Sequence, residues 1–365
     1  MNDAAKPSII ETIVGALEQR LVQMSPGERL PTVRELMATY GVSQFTVQRA
    51  LGRLKEAGLI DSQVGRGTFV AGQKSSPTRP RTVLVLSYEQ RSDRADELTR
   101  LMHRVFLDRD WRSVILTYAD FEQAAEIVEG LPRFDACVVQ PRGTTVPLSL
   151  LAMLKARGQM VVVEGFGVAG IDVDAVAIDW PEAVSLALRH LHELGHRRIG
   201  FVVQSVSLRA FTSTAAEFRR LHSWLGLPAD VDPVIPLASD VEDVAFGMLE
   251  QHLRESRRNK GEGFSAYIVY PRAFHGERLI RSFVAAGLDI PQDVGLVTLG
   301  YSDLLHEHVD RLDTVGQTAH NVVNAIIAAI EARWEHPDTA FSIRYLEPEI
   351  IVRGSAMSPA RRRAS

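Results

Sequence analysis

From Thr82 onward, short runs rich in β-branched and apolar residues alternate with helical segments of roughly ten to fifteen residues, a pattern that admits few folds. The runs 82–87, 113–117, 136–140, 160–164, 199–203, 266–269 and 295–299 are the predicted strands. Strand and helix in alternation give βαβ units, parallel strands and helices on both faces of a sheet. Such a pattern sustained over the rest of a 365-residue chain exceeds one comfortable sheet, so two sub-lobes around a cleft are expected.

The residues before Thr82 read differently. Ile9, Ile10, Ile13, Leu17 and Leu21 recur at helical spacing over 8–24, and Pro26-Gly27 stops that helix. Thr32 is a good N-cap with Glu35 three residues on, predicting a helix to Tyr40 that Gly41 ends. Ser43 caps a third helix over 44–57, whose inward face is Val47, Leu51 and Leu54, and Gly58 ends it. Residues 59–62 and 68–70 then read as two short strands around Val64-Gly65-Arg66-Gly67. Helix, helix, turn, helix and hairpin in that order is a winged helix-turn-helix. The polar stretch AGQKSSPTRP over 71–80 reads as a linker. The expected division is 1–72 for the winged head, 73–81 for the linker, 82–356 for the α/β body and 357–365 for a basic, unpacked tail.

Charge supports the division. Residues 1–81 carry eleven Lys/Arg against seven Asp/Glu, a balance of +4, while the whole chain is at -4 and the remainder therefore at -8. A basic module on an acidic body suits a nucleic-acid binder whose bulk stays off the phosphates. The single cysteine, Cys137, lies in the apolar run Ala136-Cys137-Val138-Val139; it excludes an intramolecular disulfide and reads as a buried thiol. No basic-then-apolar leader pattern opens the chain and no run approaches the ~18 apolar residues of a membrane span, so the expectation is a cytoplasmic protein with no membrane partner.

Catalytic signatures are missing from the body. It has no G-x-S-x-G elbow, no P-loop and no G-x-G-x-x-G opening a βαβ unit. His192-Glu193-Leu194-Gly195-His196 matches the zinc-protease string, but Gly195 stands where a helix ends and His196 leads into a strand. His306-Glu307-His308 reads as a polar loop, and so does the glycine-rich stretch 165–170. The expectation is a non-enzyme that uses no cofactor and no metal.

Several motifs in one register carry a resemblance. Pro26-Gly27-Glu28-Arg29-Leu30-Pro31-Thr32-Val33-Arg34-Glu35-Leu36, Tyr40-Gly41-Val42-Ser43, Val47-Gln48-Arg49-Ala50-Leu51, Leu54-Lys55-Glu56-Ala57-Gly58-Leu59-Ile60 and Gly65-Arg66-Gly67-Thr68-Phe69-Val70 resemble the DNA-binding domain of the GntR family. The body resembles the periplasmic-binding-protein-like effector domain of LacI/GalR repressors through the string 191–201, Gly287-Leu288-Asp289-Ile290-Pro291, Gly300-Tyr301-Ser302-Asp303, Thr314-Val315-Gly316-Gln317 and Pro348–Ser355. A GntR head on a LacI-type body is the arrangement of the arabinose-repressor subgroup. The resemblance implies a ligand-responsive repressor, working as a homodimer on inverted-repeat operator DNA.

Site residues follow from the fold and from the resemblance together. The third helix of a helix-turn-helix enters the major groove, which nominates Ser43, Gln44, Phe45, Thr46, Gln48 and Arg49. GntR-type heads often carry arginines at positions 44 and 48; glutamine there suits adenine, unless both are only solvated. Arg34 matches the family's DNA-contacting arginine, and Gly65, Arg66 and Gly67 form the wing tip. A two-lobed α/β body takes its ligand outside the carboxyl ends of its strands, nominating Tyr88, Arg91, Arg142, Glu164, Phe166, Asp179, Arg272 and Ser302. Laid on the LacI pattern, the sugar-binding arginine falls on Thr214, the Asn-Asp pair on Arg272-Ala273 and a ligand aspartate on Ser302. Losing carboxylates while gaining Arg272 points to an anionic, sugar-like effector, with Arg272 facing solvent as the open alternative.

Overall fold

The computed structural model describes residues 9–21, 24, 28–56, 59–63, 67–70, 80–88, 93–141, 146–158, 160–166, 172–204, 209–239, 241–258, 263–270 and 275–357. They fall into two compact units, Met1–Pro80 and Arg81–Ser365. No helix among the described residues is long and apolar enough to cross a membrane.

In the first unit the predicted periodicity becomes a three-helix core. Helix α1 (Ile9–Leu21) buries Ile13, Leu17 and Leu21, one turn apart. Helix α2 (Val33–Tyr40) opens on a complete capping box between Thr32 and Glu35 and closes on Gly41 at φ 63°, a left-handed cap that glycine adopts without penalty. Helix α3 (Gln44–Glu56) buries Val47, Ala50, Leu51 and Leu54 against α1 and α2. Strands β1 (Ile60–Gln63) and β2 (Gly67–Val70) pair antiparallel with Ile60 opposite Val70. Two further backbone bonds, Leu30 N–H to Thr68 and Val70 N–H to Glu28, dock segment 28–30 on the hairpin.

The second unit carries two six-stranded sheets. The first lobe is built from β3 (Thr82–Tyr88), α4 (Asp93–Leu107), β4 (Arg112–Tyr118), α5 (Phe121–Gly130), β5 (Ala136–Gln140), α6 (Leu148–Arg157), β6 (Val161–Glu164) and β7 (Asp174–Ile178). Helix α7 (Trp180–Glu193) leads to the second lobe: β8 (Ile199–Gln204), α8 (Arg209–Trp224), β9 (Val234–Leu237), α9 (Glu242–Arg258), β10 (Ala266–Tyr270), α10 (Gly276–Ala285), β11 (Gly295–Tyr301), α11 (Leu305–His308) and β12 (Asp313–Gln317). Helix α12 (Ala319–Glu335) then returns to the first lobe, β13 (Ile343–Leu346) joins that sheet beside β7, and β14 (Glu349–Ile351) joins the other beside β12. The sheet orders are β13-β7-β6-β5-β3-β4 and β14-β12-β11-β10-β8-β9, all parallel except β14. The chain therefore crosses between lobes three times.

One buried acid fixes each return of the chain. Asp174, at the start of β7, takes a two-pronged ion pair from Arg333 near the end of α12, at 2.9 and 3.0 Å, and also accepts the Ser342 N–H. Asp313, fully buried at the start of β12, accepts the backbone N–H groups of Arg353, Gly354, Ser355 and Ala356. Removing that carboxylate leaves four N–H donors without their acceptor, two of them on the buried residues Ser355 and Ala356, and each buried loss costs about 1–3 kcal/mol. Asp313→Ala is therefore expected to lower the body's stability by about 3 kcal/mol or more. Urea unfolding of the full chain checks this; an unchanged midpoint for the body's transition contradicts it.

Candidate functional site

The proposed reading face sits on the exposed side of α3. Val47, Ala50 and Leu54 turn inward, which leaves Gln44, Phe45, Gln48 and Arg49 on the outside and Thr46 half-buried. Ser43 caps the helix, its hydroxyl accepting the Thr46 N–H at 3.3 Å. Phe45 is 69% exposed, with the Arg49 guanidinium 5.8 Å from its ring centre. A large apolar ring left in water on the first turn of such a helix, beside a cation, is suited to a thymine methyl next to phosphate. Arg34 is exposed on the first turn of α2.

At the wing, Gly65 and Arg66 lie outside the described residues. Gly67 has φ 122°, and a Cβ there would stand 2.8 Å from Arg29 Nε. Backbone conformation favours glycine there, while the Arg29 side chain, close as it is, can shift. Sequence reasoning passed over Arg29 as a site residue; its bridge to Phe69 puts a further cation at the base of the wing.

In the body the carboxyl ends of β3, β6, β10 and β11 supply Tyr88, Glu164, Tyr270 and Tyr301. Two contacts bring the lobes together there. Arg94 of α4 grips Glu307 of α11, Nε to Oε1 at 2.7 Å and Nη2 to Oε2 at 2.9 Å, and the same Oε2 accepts the Tyr301 N–H. The Arg94 guanidinium also lies 4.8 Å from the Tyr301 ring centre. Tyr301 OH reaches Glu164 Oε1 across the cleft by a long 3.5 Å hydrogen bond. Tyr270 packs tilted on Trp180 and edge-on to Phe211, each at 4.8 Å between ring centres, and one apolar core runs through both lobes.

Burial drives the protonation states here. The Glu164 carboxyl is pushed up to about 7 by desolvation, against the opposing pull of Arg94 and the Tyr301 hydroxyl. Desolvation alone would lower Arg94, but the Glu307 carboxylate more than compensates and holds it above its ordinary value. Burial, reinforced by Glu164, raises Tyr301 well above the usual phenol range.

The other nominated residues have diverse surroundings. Tyr88 is half-buried and packs edge-on against Tyr118; Phe166 is half-buried against the outer apolar cluster of its lobe. Asp179 caps α7, accepting the Glu182 N–H at 3.1 Å. Thr214 is fully buried and its hydroxyl donates to Ala210 O at 2.6 Å, so the structure does not bring it to the cleft surface. Ser302 is half-buried, with its N–H given to Gln317 O and its carbonyl accepting from Arg353 at 2.8 Å. Arg91, Arg142 and Arg272 lie outside the described residues.

Position 306–308 corrects an expectation. The sequence read as a polar loop, but it forms the short helix α11 with Glu307 and His308 each only 5% exposed. Arg94, Tyr301 and Glu307 were not nominated, because their pairing joins positions 213 residues apart. The His192–His196 string is a helix-to-strand joint. Helix α7 ends at Glu193, Gly195 takes φ 95°, and buried His196 hydrogen-bonds Ser265 Oγ and Met357 O, both at 2.9 Å. Its two histidines do not share a helix face.

Comparison with known proteins agrees with this two-part build. Residues 9–70 match the family described as "Bacterial regulatory proteins, gntR family", and residues 188–356 match "Periplasmic binding protein-like domain". The chain is a transcription regulator, not an enzyme, with a GntR helix-turn-helix head and a periplasmic-binding-protein-like body. Over 347 residues, 91% of the chain and 93% of the relative, it is 23% identical to the arabinose metabolism transcriptional repressor of Geobacillus stearothermophilus. It is 28% identical over 224 residues to an uncharacterised HTH-type regulator of Streptomyces limosus, spanning 59% of that relative's length. In fold it is similar to the regulator CelR in complex with cellobiose, with a TM-score of 0.62 at 18% identity, covering 96% of this chain and all of that one. A LacI-family regulator from Enterococcus faecium with bound ribose gives 0.61 at 18%, covering 76% of this chain and 99% of that one.

The capping box makes a separate claim on the head. Thr32→Ala removes the acceptor for the Glu35 N–H and is expected to cost about 1 kcal/mol. Calorimetry of the full chain should show the head's transition moved and the body's unmoved; an unmoved head transition contradicts the assignment.

Proposed function

We propose that this chain is a ligand-responsive repressor of a carbohydrate-related operon, binding an inverted repeat as a homodimer. In this reading residues 1–72 contact DNA, 73–81 link, 82–356 sense and dimerise, and 357–365 form a basic tail. The observation that carries it is the outer face of α3, where Gln44, Phe45, Gln48 and Arg49 stand exposed on the helix that a winged head lays in the major groove. Arg34, Arg66 and the glycines beside Arg66 contact the backbone, and Gln44 and Gln48 read adenine edges.

Arg34→Ala is expected to weaken operator and random DNA alike and to flatten the salt slope. Gln44→Ala and Gln48→Ala are expected to erode the operator-to-random ratio by about 1–3 kcal/mol for each two-pronged contact. Titrations of both DNAs at several salt concentrations measure these effects. A ratio left unchanged by both glutamine variants refutes the adenine reading.

Dimerisation through the body is supported by the edge of the first sheet. Strand β4 has one sheet neighbour, and Val114 and Ile115 on it are 39% and 48% exposed. An apolar edge of this kind is covered in stable proteins. Sedimentation at micromolar concentration is expected to show a dimer; a monomer with and without DNA contradicts it.

The effector is a small, polar, sugar-like molecule held between the lobes. Ribose and cellobiose in the two similar structures support that class. Arg272, standing where LacI-type bodies carry an acceptor pair, adds a preference for an anionic form. Calorimetric titration with sugar acids, sugar phosphates and their neutral parents tests this preference. Equal binding of the acids by Arg272→Ala, or stronger binding of the neutral parents, refutes it.

A further inference from the structure

The second lobe holds a cavity of about 140 Å³ apart from the cleft. Its apolar walls are Ile280 of α10, Ile290 and Pro291 ahead of β11, and Leu312 ahead of β12. Arg353 joins them from the segment that follows β14. Strand β14 runs antiparallel to β12, so Pro291, Leu312 and Arg353 all flank the amino ends of β11 and β12, whereas the cleft lies at carboxyl ends. No residue lining the cavity belongs to the first lobe.

Two guanidinium groups line this space against one carboxylate. Arg353 is half-buried, and its two Nη atoms donate to Leu312 O at 2.9 Å, Thr314 Oγ1 at 3.1 Å and Ser302 O at 2.8 Å. All three acceptors are neutral. Burial lowers this guanidinium from its ordinary value, with Asp310 and Asp313 opposing, but Asp313 is already taken by backbone N–H groups. Arg311 stands exposed, and among the described residues its side chain makes no hydrogen bond or ion pair. The one acid in the lining, Asp310, lies 3.6 Å from His308 Nδ1 and within ion-pair distance of neither arginine. Val309 and Asp310 are both left-handed, at φ 46° and 52°, which a β-branched residue seldom adopts; held backbone of this kind gathers where proteins grip ligands.

We propose that this cavity binds a small amphipathic monocarboxylate, its carboxylate between Arg311 and Arg353 and its apolar body against Ile280, Ile290, Pro291 and Leu312. Two cations against one acid leave a single positive charge, which a monoanion neutralises. A cavity of about 150 Å³ takes a benzene ring, so the body is limited to about six carbons. Inorganic phosphate fits the charge but not the walls, where it would lose water without a partner. The site is separate from the cleft proposed above to take the effector, so it goes beyond that reading.

The test is saturation-transfer NMR on the full chain at neutral pH, with isovalerate and benzoate as probes and their amides as neutral counterparts. Both acids are expected to bind with a dissociation constant of about 1 mM or tighter, and both amides about tenfold more weakly. Arg311→Gln is expected to weaken the acids by about tenfold as well, and Ile280→Phe, which fills the cavity, to abolish their binding. The Arg311 side chain holds nothing else in place, so Arg311→Gln decides the matter even if Ile280→Phe fails to fold. Arg272→Ala is expected to leave binding unchanged. Absence of binding by either acid overturns the proposal, as do amides that bind equally well or phosphate that displaces the acids. Binding that survives Arg311→Gln and is lost in Arg272→Ala belongs to the cleft and overturns this site without touching the effector reading.

Discussion

The ion pair between Arg94 and Glu307 is the contact on which the body's arrangement hangs. A guanidinium and a carboxylate taken out of water repay their desolvation only with near-ideal geometry and with their remaining atoms satisfied. Two parallel bonds join them, and the Tyr301 N–H gives the carboxylate a third. The geometry in turn requires a helix after the first strand of one sheet to meet the turn after β11 of the other. Both sheets must therefore present their carboxyl ends to the same cleft. The three crossings of the chain make this possible, and the buried acids Asp174 and Asp313 tie the returning segments down.

That architecture suits a sensor. Polar groups from both lobes meet at the cleft, beside the buried aromatic cluster of Trp180, Phe211 and Tyr270. A ligand that touches both lobes favours one arrangement of them, and only such a difference in affinity shifts an equilibrium. The head adds few cations of its own, and the balance of -8 over residues 82–365 keeps the body off phosphates. In the homodimer proposed above, two heads on a two-fold site would offset the weakness of one.

Local signals carried much of this into the sequence. The capping box at Thr32 and Glu35, the left-handed Gly41 and the apolar spacing of α1 and α3 appear in the head where their chemistry predicts. The seven predicted strands appear as β3, β4, β5, β6, β8, β10 and β11. Strands β7, β9, β12, β13 and β14 were missed. Strand β13 is mostly exposed and lacks the apolar signal of a core strand, whereas β7 (DAVAI) is apolar after its first residue but short, and the partner of its aspartate, Arg333, is 159 residues away. The cleft was legible only in outline. Glu164 was found from its place at a strand end, but Arg94, Tyr301 and Glu307 matter through contacts that no local window contains. Thr214 illustrates the converse: alignment to a family pattern nominated it, and packing buried it.

The central claim is that the exposed face of α3 reads DNA from two symmetry-related heads. Selection of binding sites by the full chain from a pool of random duplexes tests it most directly. The expected result is enrichment of an inverted repeat whose half-sites contain adenines that lose their preference in Gln44→Ala and Gln48→Ala. Enrichment of a single asymmetric site, or no enrichment above random DNA, would contradict it.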